Sequence, residues 1–170
     1  LHGPILQEDL GYYLDLYQTW STYTPEEEGI VVACASIHGN TGKAAEKLAE
    51  LLRAKGAEKV VVSDLAREDM AEVIEDAFRY DRMVLAAATY DAGVFPCMDS
   101  FLARLKSKNF QKRTVGLIEN GSWAPMAGKV MKDSLSQMKE ITVLEPVVTI
   151  KSTLNEASAE QLELLADALV

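Results

Sequence analysis

Several features that mark large classes of protein are scarce in this sequence. Basic residues are outnumbered, with 17 Lys and Arg against 26 Asp and Glu, and the net charge of −9 argues against a nucleic-acid-binding surface. No apolar stretch approaches the roughly 18 residues that suggest a membrane span, and no secretory signal is visible. Cys34 and Cys97 show no C-x-x-C spacing, so a disulfide is not favoured. We therefore predict a cytoplasmic protein that binds neither nucleic acid nor membrane.

What is present suits one globular domain preceded by a different segment. The chain has 170 residues, 48% of them hydrophobic, which is enough for a sizeable core. It begins at Leu1 rather than Met, as expected of a processed or excised piece of a longer protein. Apolar residues recur at helical spacing between Leu10 and Trp20, and the polar stretch STYTPEEEG follows. We predict a helix and a linker within residues 1–29.

From Ile30 onward, short apolar runs alternate with amphipathic stretches. Continuous apolar runs are typical of strands buried on both faces, and strands that alternate with helices indicate a parallel sheet with right-handed crossovers. The fold class is therefore α/β, with five parallel strands and helices on both faces of the sheet. The predicted strands are 30–35, 59–65, 82–88, 114–119 and 147–151, and the predicted helices are 41–56, 67–80, 97–107, 125–139 and 156–169.

The segment SIHGNT joins the first predicted strand to the helix that follows it. Ligands bind beyond the carboxyl ends of the strands in an open parallel sheet. Backbone N–H groups in such a loop, and the dipole of the next helix, favour an anion. Ser36, Asn40 and Thr41 add polar side chains, while Gly39 lets the backbone approach the ligand closely. We predict a phosphate site in this loop.

Two common nucleotide-binding motifs do not fit this loop. A P-loop requires G-x-x-x-x-G-K-[ST], but Ile37 stands at the first Gly position and Ala44 at the last position. The dinucleotide motif G-x-G-x-x-G is also absent, so a monophosphate is favoured over a nucleoside triphosphate. An ordinary helix N-cap at Thr41 is the simplest alternative to a phosphate site, but it would account for that residue alone.

Two later loops place aromatic residues beside glycine at the same end of the predicted sheet. TYDAGVFP (89–96) carries Tyr90 and Phe95, and NGSW (120–123) carries Trp123. Loop aromatics at the ligand end of a sheet suit a planar ring system. A phosphate at one loop and a planar heterocycle at the other two describe FMN.

These motifs resemble known families. SIHGNT is similar to the phosphate loop [ST]-x-[TYH]-G-N-T of flavodoxins, in which His38 stands where Tyr or Thr is more usual, and the strands imply the flavodoxin order 2-1-3-4-5. TYDAGVFP and NGSW resemble the two flavin-ring loops of flavodiiron proteins, many of which carry Tyr-Gly-Trp in the last loop. The resemblance implies that the FMN-binding residues are Ser36, Ile37, His38, Gly39, Asn40, Thr41, Thr89, Tyr90, Asp91, Ala92, Gly93, Asn120, Gly121, Ser122 and Trp123.

The start of the chain extends this resemblance. LHGPIL is similar to the end of the metallo-β-lactamase-like diiron domain of flavodiiron proteins, and on that likeness His2 would be one iron ligand in a full-length protein. The other ligands of such a site are not in this chain. The resemblance implies that residues 1–29 are the end of a preceding domain plus a linker helix, and that residues 30–170 are the FMN-binding domain.

The function implied is electron transfer by FMN, because the flavin itself carries the redox chemistry. In the family, such a domain passes electrons to a diiron site that reduces dioxygen or nitric oxide. That site can belong to a second subunit of a head-to-tail homodimer, and the electrons come from a rubredoxin-like protein or a reductase. Asp91 and Glu119, in or beside the ring loops, should lower the flavin potential. Two alternatives stay open: a free-standing NAD(P)H-dependent flavin reductase, and a flavodoxin-fold binding module without FMN.

Overall fold

The computed structural model describes Gly3 and residues 5–170, so the predicted iron ligand His2 lies outside the described residues. The helices are α1 (Leu10–Ser21), α2 (Asn40–Ala54), α3 (Met70–Arg79), α4 (Pro96–Ser107), α5 (Ala127–Leu135) and α6 (Glu156–Leu169). The strands are β1 (Glu27–Ala35), β2 (Val60–Asp64), β3 (Tyr80–Tyr90), β4 (Gly93–Val94), β5 (Gln111–Asn120), β6 (Lys139–Val143) and β7 (Val148–Ile150). In this part of the chain, no helix combines the length and the apolar character needed to cross a membrane.

The central sheet is parallel and has the order β2-β1-β3-β5-β6, with β7 also paired to β5. The predicted α/β class and the strand order 2-1-3-4-5 are confirmed. β1 shows why the apolar runs predicted strands correctly, because every residue from Gly29 to Ala35 is buried. Buried side chains on both faces are what a parallel sheet between two helical layers requires.

The fifth position of the sheet differs from the prediction. It is built from two short strands: β6 pairs with the first half of β5, and β7 pairs with its second half. The predicted helix 125–139 ends as α5 at Leu135, and its last predicted residue, Lys139, begins β6. The prediction was wrong here because Lys139–Val143 is short and half exposed, without an apolar run to mark it. Pro146, which lacks a backbone N–H group, lies between the two strands.

Two further boundaries also differ. The predicted linker of residues 21–29 contributes the first three residues of β1, which begins at Glu27. The predicted loop of residues 89–96 contains the end of β3 and the short strand β4, which pair as an antiparallel hairpin. The second predicted ring loop is therefore largely a regular β-hairpin.

Alternation along the strands sends side chains to two separate cores. One core lies between the sheet and α3, α4 and α5, and Leu85 and Leu117 are among its strand residues. The other lies between the sheet and α2 and α6, and includes Val84 and Ile118. Because neighbours along a strand face opposite layers, Glu119 lies on the α5 side and Asn120 on the α2 side. This parity determines what each side chain can contact at the carboxyl end of β5.

The segment before β1 is attached to the opposite end of the sheet by Arg113. Its buried guanidinium group donates hydrogen bonds of 2.6–3.1 Å to backbone carbonyl oxygens, and desolvation lowers its pKa. The accepting carbonyls belong to Tyr23, Phe78, Tyr80, Gln111 and Lys112. A cavity of about 530 Å³ lies beside Arg113, lined in part by Trp20. α1 itself contains no buried residue.

Candidate functional site

The carboxyl ends of β1, β3 and β5 bring the three predicted loops to one edge of the sheet. The strands are neighbours in register, with Ala35 beside Ala87 and Ala88 beside Asn120. A cleft of about 220 Å³ opens between the loops. It is lined by Ile37, His38, Asn40, Thr41, Ala88, Thr89, Asn120, Gly121, Ser122 and Ser152. Ligands of open parallel sheets bind beyond the carboxyl ends of the strands. This cleft is therefore the candidate site, although the cavity beside Arg113 is larger.

Two shallower depressions flank this cleft. The first, about 320 Å³, shares Thr89, Gly121 and Ser122 with the cleft and adds Ala92 and Trp123 among its walls. The second, also about 320 Å³, is lined in part by Tyr90, Asp91 and Gly93. The structure therefore brings residues from all three predicted loops around one edge, while Tyr90, Asp91 and Gly93 line a separate depression. Ser36 and Gly39 line none of the three.

The start of α2 presents free backbone donors to the cleft. Gly39 occupies the N-cap position with a φ of 87°, a left-handed conformation that favours glycine. The N–H group of Lys43 makes the first helical bond, to the Gly39 carbonyl. Among the described residues, the N–H groups of Asn40, Thr41 and Gly42 have no acceptor, as expected for the first turn of a helix. These N–H groups fit an anion.

The alternative of Thr41 as an N-cap is wrong, because the helix begins before it and Gly39 is the cap residue. Thr41 is 1% exposed. The Ser36 hydroxyl accepts a hydrogen bond of 3.0 Å from the Gly39 N–H group and closes the loop on itself. The Gly39 N–H group is therefore already bonded within the loop.

Asn120 connects the phosphate loop to a fourth segment of the site. Its Nδ2 atom lies 3.3 Å from the Thr41 Oγ1 atom and 3.0 Å from the Ser152 carbonyl oxygen, and its Oδ1 atom accepts from the Ser152 N–H group at 3.0 Å. Sequence reasoning missed Ser152. The only local signal is the polar pair Ser152-Thr153, which follows the last predicted strand, 147–151. Ser152 has a φ of 73°, a strained conformation for a residue other than glycine.

The third loop is held at the N-terminus of α5. The Thr89 hydroxyl accepts hydrogen bonds from the N–H groups of Met126 and Ala127, at 3.0 and 3.2 Å. A Cβ atom on Gly121 would lie 2.9 Å from the Pro125 Cα atom and 3.0 Å from the Thr89 Oγ1 atom. Only glycine fits at position 121, so the third loop packs closely against Thr89 of the second loop.

Glu119, which the sequence places directly before the third ring loop, is bonded to the start of α5 and to β7. Its Oε2 atom accepts from the Gly128 N–H group at 2.8 Å, and its Oε1 atom accepts from the Thr149 hydroxyl at 2.9 Å. A carboxylate at a helix N-terminus is stabilised by the helix dipole. Glu119 therefore anchors α5, on the face of the sheet opposite α2, and Asp91 is the acidic residue that remains in a ring loop.

The second loop is a tight hairpin. Asp91 and Ala92 have φ values of 49° and 58°, and they connect Tyr90 to its partner Gly93. Two consecutive left-handed residues are the geometry of a type I′ turn, which normally uses Asn and Gly. The turn exposes 51% of Tyr90, whose ring meets Phe95 edge to face at 5.9 Å between centroids. The two residues with strained backbone, Asp91 and Ala92, therefore lie at the edge of the candidate site.

Trp123 is the most exposed large apolar side chain of the site, at 98%. It lies in the third loop between Gly121 and Met126, the two residues at which this loop is held against Thr89. Core tryptophans are largely buried, so Trp123 makes no contribution to the domain core. A solvent-exposed indole in a depression that adjoins the cleft suits a planar ligand better than a structural role.

The remaining titratable groups among residues 5–170 do not form a metal or thiol site. In the described part of the chain, no group of three or more His, Cys, Asp or Glu could hold a metal ion. Burial raises the pKa of the Cys34 thiol to about 12, with a contribution from the negative charge of Asp64. Burial also raises the pKa of Cys97. Both thiols are free and are poor nucleophiles at neutral pH.

Comparison with known proteins places the fold. A family model described as a flavodoxin domain matches residues 31–164. No curated protein sequence matches the chain. A flavodoxin from the domain Archaea superimposes with a TM-score of 0.70 at 20% identity, over 84% of this chain and 96% of that protein.

Solved structures of flavodiiron proteins are similar over almost the whole chain. The rubredoxin oxygen:oxidoreductase of the anaerobe Desulfovibrio gigas has a TM-score of 0.82 at 20% identity over 94% of this chain. A histidine variant of the flavo di-iron protein from Thermotoga maritima has a TM-score of 0.81 at 23% identity over 99% of this chain. This chain spans only 40% and 43% of these two proteins. At these identities the likeness concerns the fold.

Proposed function

The chain belongs to the flavodoxin domain family, and from that premise we propose that it binds FMN and acts as an electron-transfer domain. One observation carries the proposal: the N–H groups of Asn40, Thr41 and Gly42 are free at the N-terminus of α2, beside the cleft between the three loops. Backbone donors at a helix N-terminus favour a phosphate.

The residues of the cleft divide between the two parts of FMN. The phosphate would be held by the loop of residues 36–41 and by the Gly42 N–H group, with the Thr41 hydroxyl as an additional donor. The ring would lie against the second and third loops, between the 89–93 hairpin and the segment 121–123. FMN supplies the redox chemistry when it is bound, and this chain positions the cofactor and controls its access to water.

The electron acceptor we propose is a diiron site, either in the same protein or in the second subunit of a head-to-tail homodimer. The similarity to flavodiiron proteins over 94–99% of this chain supports this assignment, because it includes α1 as well as the flavodoxin domain. We propose that residues 1–29 are the end of the diiron domain and a linker helix, with His2 as an iron ligand. The name of the Desulfovibrio gigas protein supports a rubredoxin-like electron donor, and a reductase is the other candidate. We place the protein in the cytoplasm.

Titration of the flavin-free protein with FMN and with riboflavin tests the cofactor assignment. Each charge-assisted hydrogen bond to the phosphate is worth roughly 1.5–3 kcal/mol, so FMN should bind at least about tenfold more tightly. Equal affinities would contradict the assignment of the phosphate loop.

A second experiment tests the electron-transfer role. The FMN-loaded protein, reduced by light and then mixed with oxidised rubredoxin in the absence of oxygen, should exchange electrons with it. Rapid reduction of the bound flavin by NADH alone would instead favour the flavin reductase. A protein that binds neither flavin would be a binding module of the same fold.

A further inference from the structure

The orientation of the Asn120 side-chain amide is determined by two backbone groups. The Ser152 N–H group can only donate, so the amide atom 3.0 Å from it must be the oxygen. The Ser152 carbonyl can only accept, so the atom 3.0 Å from it must be the nitrogen. The second hydrogen of that nitrogen is directed to the Thr41 hydroxyl oxygen at 3.3 Å. Asn120 cannot flip without losing both contacts to Ser152.

This orientation determines the role of the Thr41 hydroxyl. Because the Asn120 nitrogen can only donate, the Thr41 oxygen must accept, and its own proton is left for another partner. Within the described residues, the Thr41 hydroxyl donates to no protein acceptor. The proton of Thr41 is therefore available at the cleft, beside the free N–H groups of α2.

We propose that Asn120 is a positioning residue for phosphate recognition: it holds the Thr41 hydroxyl as a hydrogen-bond donor toward the anion and does not itself bind the flavin ring. The proposal rests on the proposed binding of FMN. It changes the assignment of Asn120, which the family resemblance implies as a direct cofactor contact. Burial supports this role, since Asn120 is 9% exposed and both hydrogens of its amide are directed to protein atoms.

The alternation of side chains along β5 explains why Asn120, and not Glu119, positions the Thr41 hydroxyl. Asn120 faces α2, as Ile118 does, and therefore reaches the first turn of the phosphate helix. Glu119 faces α5 and is bonded there. An acidic side chain at position 120 would accept the Thr41 proton and place a negative charge beside the phosphate, whereas an amide does neither.

A double-mutant cycle on the whole chain tests the proposal, with the ratio of riboflavin to FMN dissociation constants as the measurement. Thr41→Val should lower this ratio about tenfold, because it removes one donor to a charged group. Asn120→Leu, which keeps the volume and removes the amide, should lower it by about three- to tenfold and leave riboflavin affinity unchanged. In the Thr41→Val background, Asn120→Leu should have little further effect on the ratio.

Two more variants keep the test decisive. Asn120→Asp keeps the shape of the side chain and should lower the ratio below the wild-type value, by more than Asn120→Leu does. If the Leu variant does not fold, Asn120→Asp compared with the wild type remains as the test. Asn155→Leu removes the N-cap of α6, which does not contact Thr41, so it should reduce stability without changing the ratio.

The outcomes separate the two proposals. If the wild-type protein binds FMN and riboflavin equally, the proposed function fails. If the wild type discriminates and Thr41→Val lowers the ratio, the positioning role is overturned by an unchanged ratio in the Asn120 variants or by fully additive effects in the double variant. A loss of riboflavin affinity equal to the loss of FMN affinity in Asn120→Leu would also overturn it, since that result indicates contact with the ring or a purely structural role.

Discussion

Replacement of Trp123 by Ala should weaken FMN binding without destabilising the flavin-free protein. The indole is 98% exposed, so its removal exposes no core, and we expect the free energy of unfolding to change by less than about 0.5 kcal/mol. A Trp side chain buries roughly 150–250 Å² when it is fully covered, and stacking on one face covers about half of that. At about 25 cal/mol per Å², this corresponds to about 2.5 kcal/mol.

Two smaller contributions are added to this value. Immobilising the side chain costs about 0.5–1.5 kcal/mol, and an aromatic contact contributes about 0.5–1.5 kcal/mol beyond buried area. These two contributions are equal in size and opposite in sign, so the net contribution stays at about 2.5 kcal/mol, which is roughly a 70-fold loss of affinity in Trp123→Ala.

The chain contains two tryptophans, and this permits a clean fluorescence assay. Trp20→Phe leaves Trp123 as the only indole, and Trp123→Phe leaves Trp20, which lies beside Arg113 at the opposite end of the sheet. Stacking quenches emission strongly, so FMN should abolish most of the emission in Trp20→Phe and much less of it in Trp123→Phe. The assignment of Trp123 to the ring would be refuted if the two variants lost equal fractions of emission. It would also be refuted if Trp123→Ala unfolded the flavin-free protein.

Further expectations concern the scaffold. Arg113→Met should lower the free energy of unfolding by about 2–4 kcal/mol, because buried carbonyls lose a charged donor. Urea denaturation measures this loss, with Lys112→Ala as the control because it removes only an exposed hydrogen bond to Thr22. A loss in Arg113→Met no larger than in Lys112→Ala would contradict the prediction. Ala92→Gly should stabilise the protein by about 0.5–1 kcal/mol, because Ala92 has a φ of 58°, a conformation that glycine adopts without strain. Calorimetry should show a higher Tm. An unchanged or lower Tm would argue against strain in the hairpin. Burial raises the pKa of Cys34 to about 12, so a disulfide reagent at pH 8 should modify this thiol only after unfolding. Mass spectrometry measures the labelling. Fast labelling of the folded protein would contradict the prediction and show that the thiol is accessible.

Local pattern was sufficient to predict much of this protein. The apolar runs 30–35 and 82–88 predicted β1 and β3 because strands buried on both faces need no polar residues. The predicted helix 41–56 corresponds to α2, and Gly39, predicted to let the backbone approach a ligand, occupies the left-handed N-cap position before it. β6 was missed because a short, half-exposed edge strand carries no such pattern.

Other features of the site depend on contacts between residues far apart in the chain. The sequence by itself determined a strand that ends at Glu119, with Asn120 in the polar loop after it. In the structure β5 continues through Asn120, so the two side chains point to opposite faces of one strand. Only the tertiary structure decided which face meets α2, and hence that Asn120 bonds to Thr41 while Glu119 holds α5. The same holds for Ser152, which reaches the cleft because β7 pairs with the end of β5. Local patterns specify elements, but the pairing of distant strands determines which side chains come within hydrogen-bonding distance.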